Sequence, residues 1–451
     1  SEGNPFFVEE IVRSMIDEGV VAHDGERWVA TGARTGFAVP DNLSAVLTTR
    51  LDRLDERCRN IAQAASVIGR QFRYDELAAA IPDVGGLDDA LQELQRRDLI
   101  REVARIPKRL FRFKHALVQE AAYETVLLKN RTRLHATMAD FLERLQPERV
   151  GDIADHLVRA RQGKRAVPYL VAAGEEAART YALPVAISRL EHALDEMDES
   201  TPADLVKRAL ETLGQTREYL FDFAGAAEAY ERLRSEGERR SDAAMQISGM
   251  NKNGLVRGFF FDQRREALDD LAAAETLARD TEDGAGLVEA CMSQCYLRTG
   301  YAEFDQVEYY MREVAEIGEN LGMLEPTLFG MAHFANTLAF LTRFDEALVQ
   351  GEKTLARAEE EGHLHYQAEM LTFVIPTCHF RNGDVEAAMA SIERGMEIAQ
   401  RIGDRGSEAY AAVFQGKVAM NRGYLEEALA LFRRAKAATD AIGVPYMRAL
   451  G

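Results

Sequence analysis

An alanine-sized residue recurs every 40 or 41 positions through the last two-thirds of the chain, and few folds accommodate such a spacing. Ala186, Ala226, Ala267, Val307, Ala347, Ala388 and Ala428 each stand near the start of a short amphipathic run, from LPVAISRLEHAL to LEEALALFRRA. Seven recurrences at intervals of 40, 41, 40, 40, 41 and 40 define a repeat array. A second marker lies twelve residues before the anchor, at Gly174, Gly214, Cys295, Ala335, Pro376 and Gly416. In the Ala267 unit the same count lands on Leu255, unless a one-residue insertion moves Gly254 into the slot. One small residue facing another lets two antiparallel helices pack closely. The expected fold is therefore mainly α, with an α-solenoid of about seven helical hairpins, each burying its apolar face against its neighbours.

Composition narrows what such an array can do. A formal net charge of −19 opposes a large nucleic-acid or anionic-membrane surface and suits a solvated, cytoplasmic protein. Cys58, Cys291, Cys295 and Cys378 are too few and too scattered for a disulfide scaffold. No run approaches the length of a membrane span, and SEGNPFF lacks the basic-then-apolar order of an export signal. Neither membrane nor nucleic acid is an expected partner.

Before the array, PFFVEEIVRSMIDEG predicts an amphipathic helix over 5–19, with proline in its first turn and glycine as its stop. VVAHDGERWVA predicts a small β-hairpin over 20–30, and TGARTGFAVP a loop. Helices follow in DNLSAVLTTRLDRL (capped by Asp41 or Asn42), DERCRNIAQAASVIG, YDELAAAI and LDDALQELQRRDLI. The pattern then changes to period two in IREV, turns at 105–107 and resumes in RLFRFKH. Helices followed by strand, turn and strand give the order of a winged helix. Its candidate recognition helix offers Arg96 and Arg97 but also Asp88, Asp89, Glu93 and Asp98, and an acidic helix is poorly suited to phosphate contacts. Three regions result: 1–38, a helix and small hairpin; 39–147, the winged-helix domain; and 148–451, the repeats, which stop inside an opening helix AIGVPYMRALG as if cut from a longer protein.

ALETLGQTREYLFDFAGAAEAYERL and FQGKVAMNRGYLEEALALFRRA resemble tetratricopeptide repeats, with a period about six residues longer than usual. The resemblance implies a right-handed superhelix with a concave groove. GNPFFVEEIVRSMIDEGV, VPDNLSAVLTTRLDRLDERCRNIAQAASVIGRQF and FRFKHALVQEAAYETVL, leading into repeats, are similar to the region after the nucleotide-binding core of bacterial signal-transduction ATPases with numerous domains. The wording is most similar to proteins that couple a class III adenylate or guanylate cyclase to such an ATPase and a repeat tail. Related modules also occur in helix-turn-helix transcription regulators. In that class the motif matching Gly3, Asn4 and Pro5 sets a proline ring against adenine, and the histidine matching His115 reaches the β-phosphate of ADP. From the residues alone, Pro5 is equally a helix N1 proline and His115 a capping or core histidine. No GxxxxGK[ST] exists in the chain, and no cyclase catalytic region is visible. ATP or ADP is thus a cofactor of the parent protein, and this chain alone is expected to be catalytically silent.

The groove is the expected site of function. By repeat register it is lined by positions 5, 9 and 12 of each first helix: Glu211, Gln215 and Glu218; Met292, Tyr296 and Thr299; Ala332, Asn336 and Ala339; Phe373, Thr377 and Phe380; Val413, Lys417 and Met420. That lining runs from acidic and polar to apolar and aromatic, and suits a protein or peptide with a basic end and an apolar end. Cys291 and Cys295, at i and i+4, are expected in the packing face rather than on a metal. His363 and His365 should face different ways, and the aromatic turn GFFFDQ at 258–263 is expected to be buried rather than to meet a partner. Three roles stay open: a regulatory and interaction segment of a signalling ATPase that oligomerises with nucleotide, a free-standing repeat scaffold, or a fragment of an ATPase-type transcription regulator.

Overall fold

The computed structural model describes residues 12, 15, 16, 20–23, 27–31, 43–82 and 84–442. Gly3 and Pro5, most of the helix expected over 5–19, the loop and cap at 32–42 and the closing residues 443–451 lie outside the described residues. Two compact units divide the chain, Ser1–Thr201 and Pro202–Gly451.

In the first unit β1 (Val21–His23) and β2 (Trp28–Ala30) pair antiparallel, Val21 opposite Ala30. Helix α1 (Leu43–Asp52) precedes α2 (Glu56–Ile68), whose cap Asp55 accepts the Cys58 N–H at 2.8 Å. Next comes a strand that the sequence reading lacks, β3 (Gln71–Arg73), before α3 (Tyr74–Ala80) and α4 (Leu87–Arg96). After β4 (Ile100–Ala104) and β5 (Leu110–Phe113) the sheet closes in the order β3–β5–β4, wholly antiparallel. Three residues carry too little periodicity to announce a strand. What fixes β3 is Phe72, buried with its ring centroid 5.7 Å from both Phe111 and Phe113. Helices α5 (Ala116–Glu124), α6 (Leu128–Leu145) and α7 (Val150–Arg159) lead into the first hairpin, A1 (Gly163–Arg179) and B1 (Leu183–Glu196).

The second unit is a run of six further hairpins. They are A2 (Ala203–Tyr219) with B2 (Phe223–Arg240), A3 (Ala243–Phe260) with B3 (Arg264–Asp280), and A4 (Gly284–Gly300) with B4 (Phe304–Leu321). A5 (Leu324–Phe340) with B5 (Phe344–Glu360), A6 (364–381) with B6 (Val385–Ile402), and A7 (Arg405–Asn421) with B7 (Leu425–Ile442) follow. All seven anchors are buried on helices B. The preceding slot faces them: a Cβ on Gly174 would stand 2.7 Å from Leu190, one on Gly214 2.3 Å from Tyr230, and one on Gly416 2.6 Å from Phe432. In the third hairpin Gly254 fills the slot, facing Leu271.

The two 41-residue intervals have different physical causes. Asp242 caps A3 twelve residues before Gly254, as Asp283 caps A4 twelve before Cys295, so the extra residue of the third hairpin follows the slot and lengthens A3. In the sixth hairpin it precedes the slot, where A6 passes through a π-helical stretch, Met370–Val374. One π turn takes up one residue more than an α turn.

The turns repeat with the same spacing. Tyr181, Phe221, Asp262, Ala302, Thr342, Gly383 and Gly423 all hold positive φ between A and B. A left-handed conformation costs a non-glycine residue roughly 1–2 kcal/mol, most for a β-branched one. Thr342→Gly is therefore expected to stabilise the second unit by about 1 kcal/mol, read as a higher urea midpoint with unchanged slope. A lower midpoint would show that the threonine side chain compensates its own strain.

A second series of small residues sets how one hairpin meets the next. Gly237 and Gly318 on helices B approach the backbone of Gln246 and Thr327, while Gly249 and Gly330 on helices A approach the backbone of Arg234 and Ala315. Successive A helices also lie side by side, A3 with A4, A5 with A6 and A6 with A7, and no pair of successive B helices approaches as closely. The A helices thus form the inner layer of the second unit.

Candidate ligand-binding face of the repeat array

Each A helix turns one stripe away from its partners, and the described structure lets that stripe be read residue by residue. In A2 and A3 it is charged. Glu211 accepts a hydrogen bond from the Ser248 hydroxyl, and the Lys252 ammonium pairs with Glu289. The buried Tyr230 hydroxyl donates to Glu218 at 2.5 Å, yet burial still holds the Glu218 carboxyl above its ordinary range. Gln215 is exposed and its amide donates to the Tyr219 hydroxyl at 3.4 Å.

In A4 to A7 the stripe becomes aromatic. Tyr296 is 44% exposed, with its centroid 5.3 Å from Phe329, which in turn stacks on His333 at 4.0 Å. Phe373 lies between Phe340 and Tyr410, with centroids 5.6 and 4.7 Å away, and Phe380 meets Phe414 edge-on at 5.3 Å. The π-helical stretch carries Phe373 itself. Met292, Thr377 and Val413 are partly exposed, and Lys417 and Met420 exposed. Burial first, and then the Arg381 charge, hold the Lys417 ammonium below its ordinary pKa.

Asn336 is half-buried, and its Nδ2 donates to Glu369 at 2.7 Å. Ala332 and Ala339, expected beside it, are buried and line nothing; the partly exposed His333 and Phe340 take their place on A5, with the buried Phe329 beneath them. The spacing from Glu325 through Phe329, His333 and Asn336 to Phe340 is a helical stripe that could have identified them. Pairs such as Asn336 with Glu369 stand 33 residues apart and leave no mark on periodicity.

Other sequence candidates fall elsewhere. His115 is the half-buried N-cap of α5, directly after β5. With Gly3 and Pro5 outside the described residues and no phosphate loop in the sequence, these residues do not by themselves make a nucleotide site. Arg96 and Arg97 of α4 both pair with Glu93, at 3.1 and 2.7 Å. All four cysteines are free and buried, and burial pushes the Cys58 thiol up to about 11 and those of Cys291 and Cys295 higher still. No metal-binding cluster occurs among the described residues. His363 and His365 do face different ways, towards Glu325 at 2.7 Å and Asp404 at 2.9 Å. The GFFFDQ turn corrects its expectation: Phe259, Phe260 and Phe261 are 47, 45 and 42% exposed. The longer A3 carries these rings to its end, where Phe260 stacks on Phe223 at 3.5 Å and each ring keeps about half its surface open. Among the described residues no helix is long and apolar enough to cross a membrane.

Over 228 residues the chain is 34% identical to an uncharacterized protein of Rhizobium meliloti (strain 1021). The match covers 48% of this chain and 21% of that protein, so the chain spans about a fifth of the relative's length. No family model matches. In fold the chain is similar to a signal transduction ATPase with numerous domains that carries a tetratricopeptide repeat sensor, from Pyrococcus horikoshii, with a TM-score of 0.51 at 11% identity over 91% of this chain and 64% of that one. It is also similar to the apo form of RapI, with a TM-score of 0.50 at 13% identity over 61% of this chain and 98% of that one. These likenesses speak for the fold alone, a mainly helical, tetratricopeptide-like repeat region.

Proposed function

We propose that the chain is a non-catalytic regulatory and interaction segment of a multidomain signalling ATPase, in which the inner face of the repeats receives a protein or peptide. The observation that carries this reading is the continuous A-helix stripe, which stays partly exposed across successive hairpins and changes from charged to aromatic along the array. Side chains exposed in register on neighbouring repeats present one extended surface, as a bound chain requires. Similarity in fold to an ATPase with a repeat sensor is consistent with it, as is a relative several times longer than the match.

The three helices and the β3–β5–β4 sheet of the first unit support the winged-helix assignment. Within the same proposal that domain senses nucleotide through His115, with Gly3 and Pro5 near the base, and the parent carries ATP or ADP and a cyclase or comparable output. Calorimetry with ADP on a protein extended upstream through a phosphate-loop domain tests this part. Weaker ADP binding by its His115→Ala variant is expected; equal binding removes His115 from the site.

For the repeats, selection of a random peptide library on the chain is expected to enrich binders that the Phe373→Ala/Phe380→Ala variant loses by about tenfold or more, the cost of emptying one or two aromatic contacts. Enrichment that survives the double substitution would place the partner elsewhere.

A further inference from the structure

Resting on the inner-face reading, the chemistry around A4, A5 and A6 specifies what the partner must bring. Two carboxylates stand there on neighbouring A helices. Glu325 on A5 receives the Tyr366 hydroxyl at 3.2 Å and faces His363. Glu369 on A6 accepts the neutral amide of Asn336, and its charge, like that of Glu325, also acts on His365. The direction of that amide is set by its carboxylate partner, since an NH2 must face the oxygen. Asn336 Oδ1 is thereby committed as an acceptor, and it is buried with no hydrogen-bond partner.

Beside these acceptors stands an aromatic face. Tyr296 keeps 44% of its surface exposed, and its hydroxyl is pushed up to about 12, chiefly by burial, with the Cys295, Glu369 and Glu325 groups adding to the effect. The ring packs on Phe329, one helical turn from Glu325, and Glu325 holds the Tyr366 hydroxyl one turn before Glu369, so ring and carboxylates share one neighbourhood. Lys252, on the A3 stripe, is already paired with Glu289 and lies within 4.0 Å of Glu211.

Acceptors, negative charge and an open tyrosine face call for one complement: a planar, donor-rich cation. An ammonium is a compact point charge, whereas a guanidinium stacks on an aromatic ring while its edge donates to carboxylate and carbonyl oxygens together. We infer that the inner face of hairpins 4 to 6 binds a peptide segment through an arginine side chain, stacked on Tyr296 and donating to Glu369 and Glu325, with apolar neighbours of that arginine against Phe340 and Phe373.

Fluorescence anisotropy with three labelled peptide pools tests this on the full chain. The pools share random apolar flanks around a central arginine, lysine or glutamine. The arginine pool is expected to bind about tenfold tighter than the glutamine pool, with the lysine pool between them. Glu369→Gln removes one charge without changing shape, and is expected to collapse that preference to within about threefold while glutamine-pool binding persists. An arginine preference unchanged in Glu369→Gln, or equal binding of all three pools, overturns the arginine assignment and leaves the inner-face reading standing. Binding of no pool overturns both. Tyr296→Leu provides the second variant, expected to weaken the arginine pool more than the lysine pool; the reverse order contradicts the stacking.

Discussion

Gly330→Val is expected to unfold the centre of the repeat array, with a loss of about 3 kcal/mol or more, at or beyond the upper end of ordinary overpacking. A Cβ at this position would lie 2.5 Å from the Ala315 backbone nitrogen and 2.7 Å from the Met311 carbonyl oxygen. Both are backbone atoms of B4, so no side chain can rotate to make room, and A5 must separate from B4 along its length. Each repeat is held only by its neighbours, and a break between hairpins 4 and 5 is therefore felt on both sides. The measurement is urea unfolding of the variant against Gly151→Ala, a helical glycine whose added Cβ meets nothing within 4 Å. Helix propensity makes that control neutral to slightly stabilising, by about 0.5–1 kcal/mol. A Gly330 variant as stable as the control would mean that the crossing has slack the structure does not show.

The second large effect lies in the first unit and depends on pH. His135 and His156 are 0 and 7% exposed, their Nδ1 atoms are 2.8 Å apart, and the Tyr123 hydroxyl lies 3.0 Å from His135 Nε2. Between two Nδ1 atoms at this distance one must donate and the other accept, so the two rings cannot both be charged. Burial, foremost, holds His135 down to about 3, with the His156, Arg159 and Arg131 charges adding to it. Burial likewise holds His156 down to about 4, against the pull of Asp152 and Asp155. The unfolded chain takes up protons near the ordinary value of 6.5 while the folded pair does not. Stability is full above that value and falls as pH drops below it, by roughly 2–4 kcal/mol at about pH 5. Hydrogen exchange of α6 and α7 at about pH 7 and about pH 5 should show this loss, and His135→Leu/His156→Leu should flatten it. A slope that survives the double substitution would assign the acid sensitivity to carboxylates instead.

The parts of this molecule that could be read from sequence are those in which a local spacing encodes a contact. The anchor and slot series specified the A–B contact of every hairpin because a helix pair brings together residues a dozen apart. They also located Gly254 correctly, since a glycine beside a mismatched Leu255 had one place to go. The second glycine series carries the same spacing and sets the contact between hairpins, but alanines interrupt it, and an alanine in a helix needs no special reason. The π-helical stretch had only a one-residue excess to show, which a loop could have absorbed equally well. Exposure of Phe259, Phe260 and Phe261 went against the usual burial of aromatics because the extra residue lengthened A3 instead of looping out. At the inner face, Tyr296, Asn336 and Phe373 follow from register alone, whereas Glu369 and Glu325 acquire meaning only when neighbouring repeats align them.

The most direct measurement is hydrogen–deuterium exchange on the full chain, free and saturated with the tightest peptide of the arginine pool. The account predicts slower exchange in A4, A5 and A6, over Gly284–Gly300, Leu324–Phe340 and 364–381, with B helices and the first unit unchanged. Protection confined to the exposed aromatic turn at 258–263, or to helices B, would contradict it, because the partner would then lie on a surface other than the inner face of the repeats.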